Sequence, residues 1–229
     1  MGQLGLPIKF DDYAVFESYF PANNQDVLKF LTELIADKYY SPSCWLWGVN
    51  SSGKSHLLQS VCQRLRDDAI YLPMEELIND DPSLLTDLAS RRFICIDDIH
   101  LCAGKNHWEL ALFDLFNRLI ELQSTLLVSS LYAPKINDFC LPDLTSRFSQ
   151  YSVYKLKSMS DEDCKSALQL RANQRGLILP DDTVNYMLTH KQRDMKILYD
   201  FLDKLDTESL AAKRKLTIPF LKSVISDLG

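Results

Sequence analysis

Residues Gly48-Val49-Asn50-Ser51-Ser52-Gly53-Lys54-Ser55 fit the pattern G-x-x-x-x-G-K-[ST]. Ahead of them runs the apolar stretch Cys44-Trp45-Leu46-Trp47, and behind them His56 to Cys62 continue with apolar residues at helical spacing. Strand, glycine-bearing turn and helix is the order that lets backbone N–H groups crowd around phosphate oxygens at a helix N-terminus. In that order the Lys54 ammonium reaches the β- and γ-phosphates and the Ser55 hydroxyl ligates Mg2+. The stretch predicts a nucleoside di- or triphosphate site made by Gly48, Asn50, Ser51, Ser52, Gly53, Lys54, Ser55 and His56. A chance match in a chain of this size is on the order of one in a hundred, and the flanking strand and helix reduce it further.

A second signal lies downstream. Arg92-Phe93-Ile94-Cys95-Ile96-Asp97-Asp98 is an apolar strand with an acidic exit. Alone, it reads equally well as a buried strand that happens to end in acid. Following a phosphate loop, it reads as the Walker B element: Asp97 holds Mg2+, mostly through water, and Asp98 orients or deprotonates an attacking water. Ala69 to Leu72, Leu126 to Val128 (ending in Ser129-Ser130) and Tyr151 to Leu156 supply further strands. Gln25 to Tyr39 and Trp108 to Leu122 read as helices, Glu75 to Leu88 as one or two short ones, and Leu141 to Phe148 as a short one. Strands alternating with helices, without hairpin signals, predict an α/β fold with a parallel sheet covered on both faces.

Beyond Ser158 the texture changes. Ser160-Asp161-Glu162-Asp163 opens a helix as a capping box that Gly176 ends, and Pro180-Asp181-Asp182 starts another. Asp194 to Leu205 and Ile218 to Leu228 add two more, and no strand pattern remains. The expected organisation is a tail over 1–9, an α/β nucleotide-binding core over 10–157 and an all-helical domain over 158–229.

Composition narrows the partners. Net charge is −6 and the pI near 5.2, which argues against a dedicated nucleic-acid binder. Lys213-Arg214-Lys215 is the one compact basic cluster, open to reading as a solvated helix end or a phosphate contact. No apolar run spans a membrane, no signal peptide is visible, and Leu6 stands where myristoylation needs Ser or Thr, so a cytoplasmic protein is expected. The six cysteines include no C-x-x-C and read as reduced core residues. At the N-terminus, Gln3-Leu4-Gly5-Leu6-Pro7-Ile8 fits either a disordered end or a short linear docking segment with side-chain anchors.

Taken together, these motifs resemble an AAA+ ATPase domain, closely that of the bacterial replication initiator DnaA. More closely still they resemble the Hda family of DnaA-homologous regulators, over essentially the whole chain. Gln3-Leu4-Gly5-Leu6-Pro7 looks like that family's Gln-Leu-x-Leu sliding-clamp motif, with Gln3, Leu4, Leu6 and Pro7 as the contacts. Leu141-Pro142-Asp143-Leu144-Thr145-Ser146-Arg147 looks like the segment carrying the arginine finger, and Lys213 to Phe220 is similar to the family's C-terminal segment. The chain stops at Gly229, where DnaA continues into a DNA-binding domain.

The resemblance implies a negative regulator of chromosome replication initiation. It would hold ADP (or ATP) with Mg2+, dock on the DNA polymerase III sliding clamp loaded on DNA, and use Arg147 in trans to stimulate hydrolysis of DnaA-bound ATP. Little direct DNA binding and a capacity for homo-oligomers are also implied. Two positions depart from the pattern. Ser129-Ser130-Leu131-Tyr132 puts Leu131 at the usual sensor 1 Asp, and Lys196 in the helical lid stands for the sensor 2 arginine, keeping the charge without the bidentate fork. Both weaken the expectation of efficient turnover at this chain's own site. The rival readings are an autonomous ATPase of helicase-loader or remodelling type, working through Asp98, and a DNA-binding factor working through Lys213 to Lys215.

Overall fold

A computed structural model describes residues 10, 14–37, 42–86, 88–136, 138–190, 194–212 and 215–226. They fall into two compact units: the described parts of Met1–Glu17 with Asn24–Lys157, and those of Ser18–Asn23 with Ser158–Gly229.

The first unit is built on five parallel strands in the order β2-β3-β4-β1-β5: β1 (Cys44–Trp47), β2 (Ala69–Pro73), β3 (Phe93–Asp97), β4 (Thr125–Ser130) and β5 (Ser152–Lys155). β3 and β4 are buried along their whole length, so they read as continuous apolar runs rather than alternating ones. β5, at one edge, alternates half-buried with exposed residues.

Helices α1 (Gln25–Ala36), α2 (Lys54–Leu65), α3 (Met74–Leu77), α4 (Asn106–Leu122) and α5 (Pro142–Phe148) connect the strands, with several 3-10 turns. α1 buries Val27, Leu31 and Leu34, a stripe at helical spacing. It ends three residues earlier than its periodicity suggests, because Asp37 adopts an extended conformation. One large cluster joins Trp45, Ile94, Ile96, Trp108, Leu115, Val128 and Phe148, all essentially inaccessible to solvent. Each such side chain contributes about 1.5–3 kcal/mol by leaving water.

The second unit is helical: α6 (Asp161–Gln174), α7 (Asp181–His190), α8 (Met195–Ala212) and α9 (Ile218–Ser226). The Ser160–Asp163 capping box forms in both directions. α8 runs past Leu205, where the sequence reading ended it. The polar stretch there is helix because Asp203 and Asp206 face Arg171 and Arg175 of α6: Arg171 donates twice to Asp203 (2.9 and 2.8 Å), and Arg175 pairs with both carboxylates. Among the described residues, no helix is long and apolar enough to cross a membrane.

Candidate functional site

The loop from Gly48 to Gly53 leaves the end of β1 and turns into α2. Gly48 donates its N–H to the Ser130 carbonyl on β4 (3.2 Å). A Cβ at Gly48 would lie 2.6 Å from the carbonyl oxygen of Leu156, a backbone atom that cannot move aside, so only glycine fits. Gly53, with φ 92°, begins α2, and Ser51 takes a left-handed φ of 59° without being glycine. Lys54 is buried, and its Nζ donates to the carbonyls of Gly48 and Val49, 2.9 Å each. The ammonium is thereby held at the mouth of its own loop. Burial lowers its pKa, while the charges of Asp98 and Asp97 work against that. The Ser52 hydroxyl is buried with no hydrogen-bond partner among the described residues. Ser55 follows Lys54 in the first turn of α2 and is half-buried. His56 is engaged elsewhere, with a ring nitrogen 3.0 Å from the Val15 carbonyl. Asn24 is fastened to Lys157 through both backbone groups (3.0 and 2.8 Å).

The acidic exit of β3 faces this loop through β4, which lies between β1 and β3. Asp97 is buried and accepts hydrogen bonds from both flanking strands: from Tyr71 Oη on β2 at 2.6 Å and from the Ser129 hydroxyl on β4. Gln59 of α2 in turn donates to Tyr71 Oη (3.3 Å). Burial with the neighbouring negative charge raises the Tyr71 phenol pKa, so it stays a proton donor. Asp98 takes a left-handed backbone (φ 55°, ψ 46°), and its N–H donates to Ser129 Oγ at 2.8 Å. Burial pushes the Asp98 carboxyl up to about 6, the Asp97 charge adding to the effect and Lys54 opposing it. His100 lies 3.8 Å from Asp98, its pKa lowered by burial and by Lys54.

Three of these groups carry no sequence signal. Tyr71 and Gln59 belong to stretches read only as strand and helix. Ser129 lies within the segment where Leu131 marks a missing acid, yet it is Ser129 that links the Asp97 carboxylate to the backbone N–H of Asp98. Only its position, at the end of a strand beside β3, could have drawn attention to it.

A second cluster lies between α4 and α5. Glu109 of α4 is fully buried and accepts three backbone hydrogen bonds: from Gly104 (2.8 Å) and Cys140 (3.0 Å) at Oε1 and from Leu141 (2.8 Å) at Oε2. These fix the approach to α5, which carries Arg147 in its last turn. The Arg147 guanidinium lies over the rings of Phe113 and Phe116 of α4, at 5.1 and 4.7 Å from their centroids.

The structure thus brings Gly48, Ser52, Gly53, Lys54, Ser55, Asp97 and Asp98 to one end of the sheet. Lys196 belongs to the second unit, exposed in the first turn of α8, its N–H bonded to Asp194 (2.8 Å). The docking segment Gln3, Leu4, Leu6 and Pro7 lies outside the described residues, as do Lys213 and Arg214. Among the described residues, no group of three or more His, Cys, Asp or Glu could cage a metal. One hydroxyl and one carboxylate beside a phosphate loop suit Mg2+, which takes few protein ligands and completes its shell with water and phosphate.

With β4 between the phosphate-loop strand and the carboxylate strand, and a separate helical unit after the sheet, this is a P-loop protein of AAA+ type. The family model of the bacterial DnaA ATPase domain matches residues 11–155, and that of the Hda lid domain matches residues 161–225. The chain therefore belongs to the bacterial DnaA ATPase-domain family, with the lid of Hda.

Solved structures share the fold at low identity. Domain III of DnaA from Thermotoga maritima superposes with a TM-score of 0.76 at 21% identity, covering 96% of this chain and 98% of that one. DnaA from Aquifex aeolicus bound to AMPPCP gives 0.67 at 18% identity, over 84% and 65%. The RuvB Holliday junction branch migration motor of Thermotoga maritima gives 0.65 at 15% identity, over 93% and 73%.

Proposed function

We propose that this chain is a nucleotide-bound negative regulator of replication initiation that acts on DnaA from a DNA-loaded sliding clamp. The observation that carries the reading is the pairing of a DnaA-type core with an Hda lid in one chain. An AMPPCP-bound DnaA of the same fold supports an adenine nucleotide, ADP or ATP, in the loop from Gly48 to Ser55.

In this reading the loop amides and Lys54 would bind the phosphates, the Lys54 ammonium exchanging the Gly48 and Val49 carbonyls for them. Ser55 and Asp97 would hold Mg2+, which would supply neutralising charge to the phosphate oxygens. Tyr71 and Ser129 keep Asp97 aimed by occupying one lone pair on each of its oxygens. By the family resemblance, Lys196 stands for the sensor 2 arginine, keeping its charge without the bidentate fork. Gln3, Leu4, Leu6 and Pro7 dock on the clamp. Arg147 meets the charge that develops on the phosphoryl group in the neighbouring DnaA site, an effect of ~10³–10⁵ in rate for arginine fingers supplied in trans.

The experiment is phosphate release from DnaA-bound ATP, with the ADP-loaded chain and clamp on DNA, comparing the natural sequence with Arg147→Ala. Loss of stimulation in the variant supports the trans-acting regulator. Stimulation independent of Arg147, together with ATP turnover by this chain alone that Asp98→Asn abolishes, would establish an autonomous ATPase instead. Deletion of residues 1–8 should remove clamp binding while nucleotide binding persists.

A further inference from the structure

We propose that Phe113 and Phe116 form an aromatic platform that positions the Arg147 guanidinium for the phosphate of a neighbouring subunit. This rests on the trans-acting reading of Arg147. Glu109, Phe113 and Phe116 are spaced i, i+4, i+7 along α4 and so share one stripe of the helix. The first of them fixes the backbone entering α5, and the other two lie beneath the side chain that α5 presents.

The guanidinium carbon lies over both rings at cation–π distance. Its N–H groups radiate in the guanidinium plane. Among the described residues, no hydrogen bond or ion pair engages them. A cation held over two rings with its donors open is suited to an anionic oxygen arriving from outside the chain. The support behind it is rigid. Phe116 is buried and stacks on Tyr151 (6.0 Å, 18°), which meets Phe148 edge-on (5.6 Å, 84°). An unsupported arginine would have to lose its rotamer freedom on reaching the phosphate, whereas on this platform much of that ordering precedes the encounter. A lysine would keep the charge but lose the planar fork that meets phosphate oxygens bidentately.

The test measures hydrolysis of DnaA-bound ATP, stimulated by the full-length ADP-loaded chain with clamp on DNA. The variants are Phe113→Leu, Phe113→Tyr, Arg147→Ala and the double Phe113→Leu/Arg147→Ala. Phe113 is chosen because it is only half-buried, and Phe113→Met removes the ring by a second route if the leucine variant unfolds. Phe113→Leu should lower the maximal stimulated rate about fivefold, leaving the half-saturating concentration of the chain and its ADP affinity unchanged. Phe113→Tyr should restore the rate, and in the Arg147→Ala background Phe113→Leu should cost nothing more.

Full activity of Phe113→Leu where Arg147→Ala abolishes stimulation would overturn the platform and leave the finger standing. An equal further loss in the double variant would also overturn it, marking the ring as merely structural. A raised rate would show that the rings hold the arginine back. Stimulation intact in Arg147→Ala would refute the trans reading itself, and the platform with it.

Discussion

Glu109→Ala should destabilise the first unit by about 3 kcal/mol, a magnitude that follows from its three hydrogen bonds. The carboxylate is fully buried and takes N–H donors at 2.8, 3.0 and 2.8 Å. Hydrogen bonds to a charged group contribute about 1.5–3 kcal/mol each, so the gross loss is about 4.5 kcal/mol or more. The variant no longer bears the several kcal/mol of desolvation that a buried ion costs, which offsets part of the loss. Three backbone donors remain without their acceptor, so the net stays destabilising. Glu109→Gln keeps an oxygen at the position that serves Gly104 and Cys140 but turns an amide NH2 toward the Leu141 N–H. Its cost should be about half.

Because the chain has two compact units, one unfolding free energy would mix them. The assay is the midpoint of the transition that nucleotide raises, together with amide exchange at Gly104, Cys140 and Leu141. At roughly 2–4 °C per kcal/mol for a chain of this size, the alanine variant should melt about 6–12 °C lower, with exchange at those amides accelerated. A shift below about 2 °C, or unchanged protection at Cys140 and Leu141, would refute the assignment of Glu109 as the group that anchors α5.

Tyr71→Phe removes a 2.6 Å donor from Asp97 and the hydroxyl to which Gln59 donates, so it should cost about 1–2 kcal/mol of stability. It should also weaken Mg2+-dependent nucleotide affinity more than Mg2+-free affinity in titration calorimetry; equal weakening would count against Tyr71 acting through Asp97. Gly48→Ala must push the loop away from Leu156, and circular dichroism melts should show a loss of about 2 kcal/mol or more, with nucleotide binding abolished. Wild-type binding by that variant would disprove the close approach.

Asp98, raised to about 6 from an ordinary 3.8, gives the protein without metal or nucleotide a defined pH response. Between about pH 4 and 6 the folded chain holds the proton more tightly than the unfolded one. This group's contribution to stability therefore falls as pH rises through that window and levels off above it. Asp98→Asn should accordingly stabilise by about 1 kcal/mol at pH 7.5, after allowance for partial exposure, and by much less at pH 4.5. Equal shifts at both pH values would refute the assignment.

The sheet class, the phosphate loop and the carboxylate pair could be read in the chain because their signals are local. A strand, a turn and a helix follow one another there without interruption. The position of β4 between β1 and β3 could not be read, since no residue in Thr125–Ser130 records which strands flank it. The same holds for Glu109. A glutamate in an amphipathic helix is ordinarily solvated, and the groups that draw it inward are backbone amides, which any residue carries. Tyr71 was legible as a strand residue but not as a ligand of Asp97, because that relation exists only across β2 and β3. The far end of α8 was misjudged for a related reason: Asp206 looks like a terminus until Arg175 is placed opposite it.

Trp47 stands directly before Gly48, with the Lys155 ammonium 4.8 Å from the centre of its ring. The other two tryptophans are buried, and their indole N–H groups are committed, Trp45 to the Tyr132 carbonyl (2.9 Å) and Trp108 to that of Ile78 (3.0 Å). Emission from those two should hold constant while the fold persists. That of Trp47 should follow the local field, which changes when phosphate charge arrives one residue away and pulls on nearby cations. The chain therefore carries an intrinsic fluorophore at the threshold of its ligand site, so occupancy can be followed in real time by its own ultraviolet emission, without a dye or a labelled nucleotide.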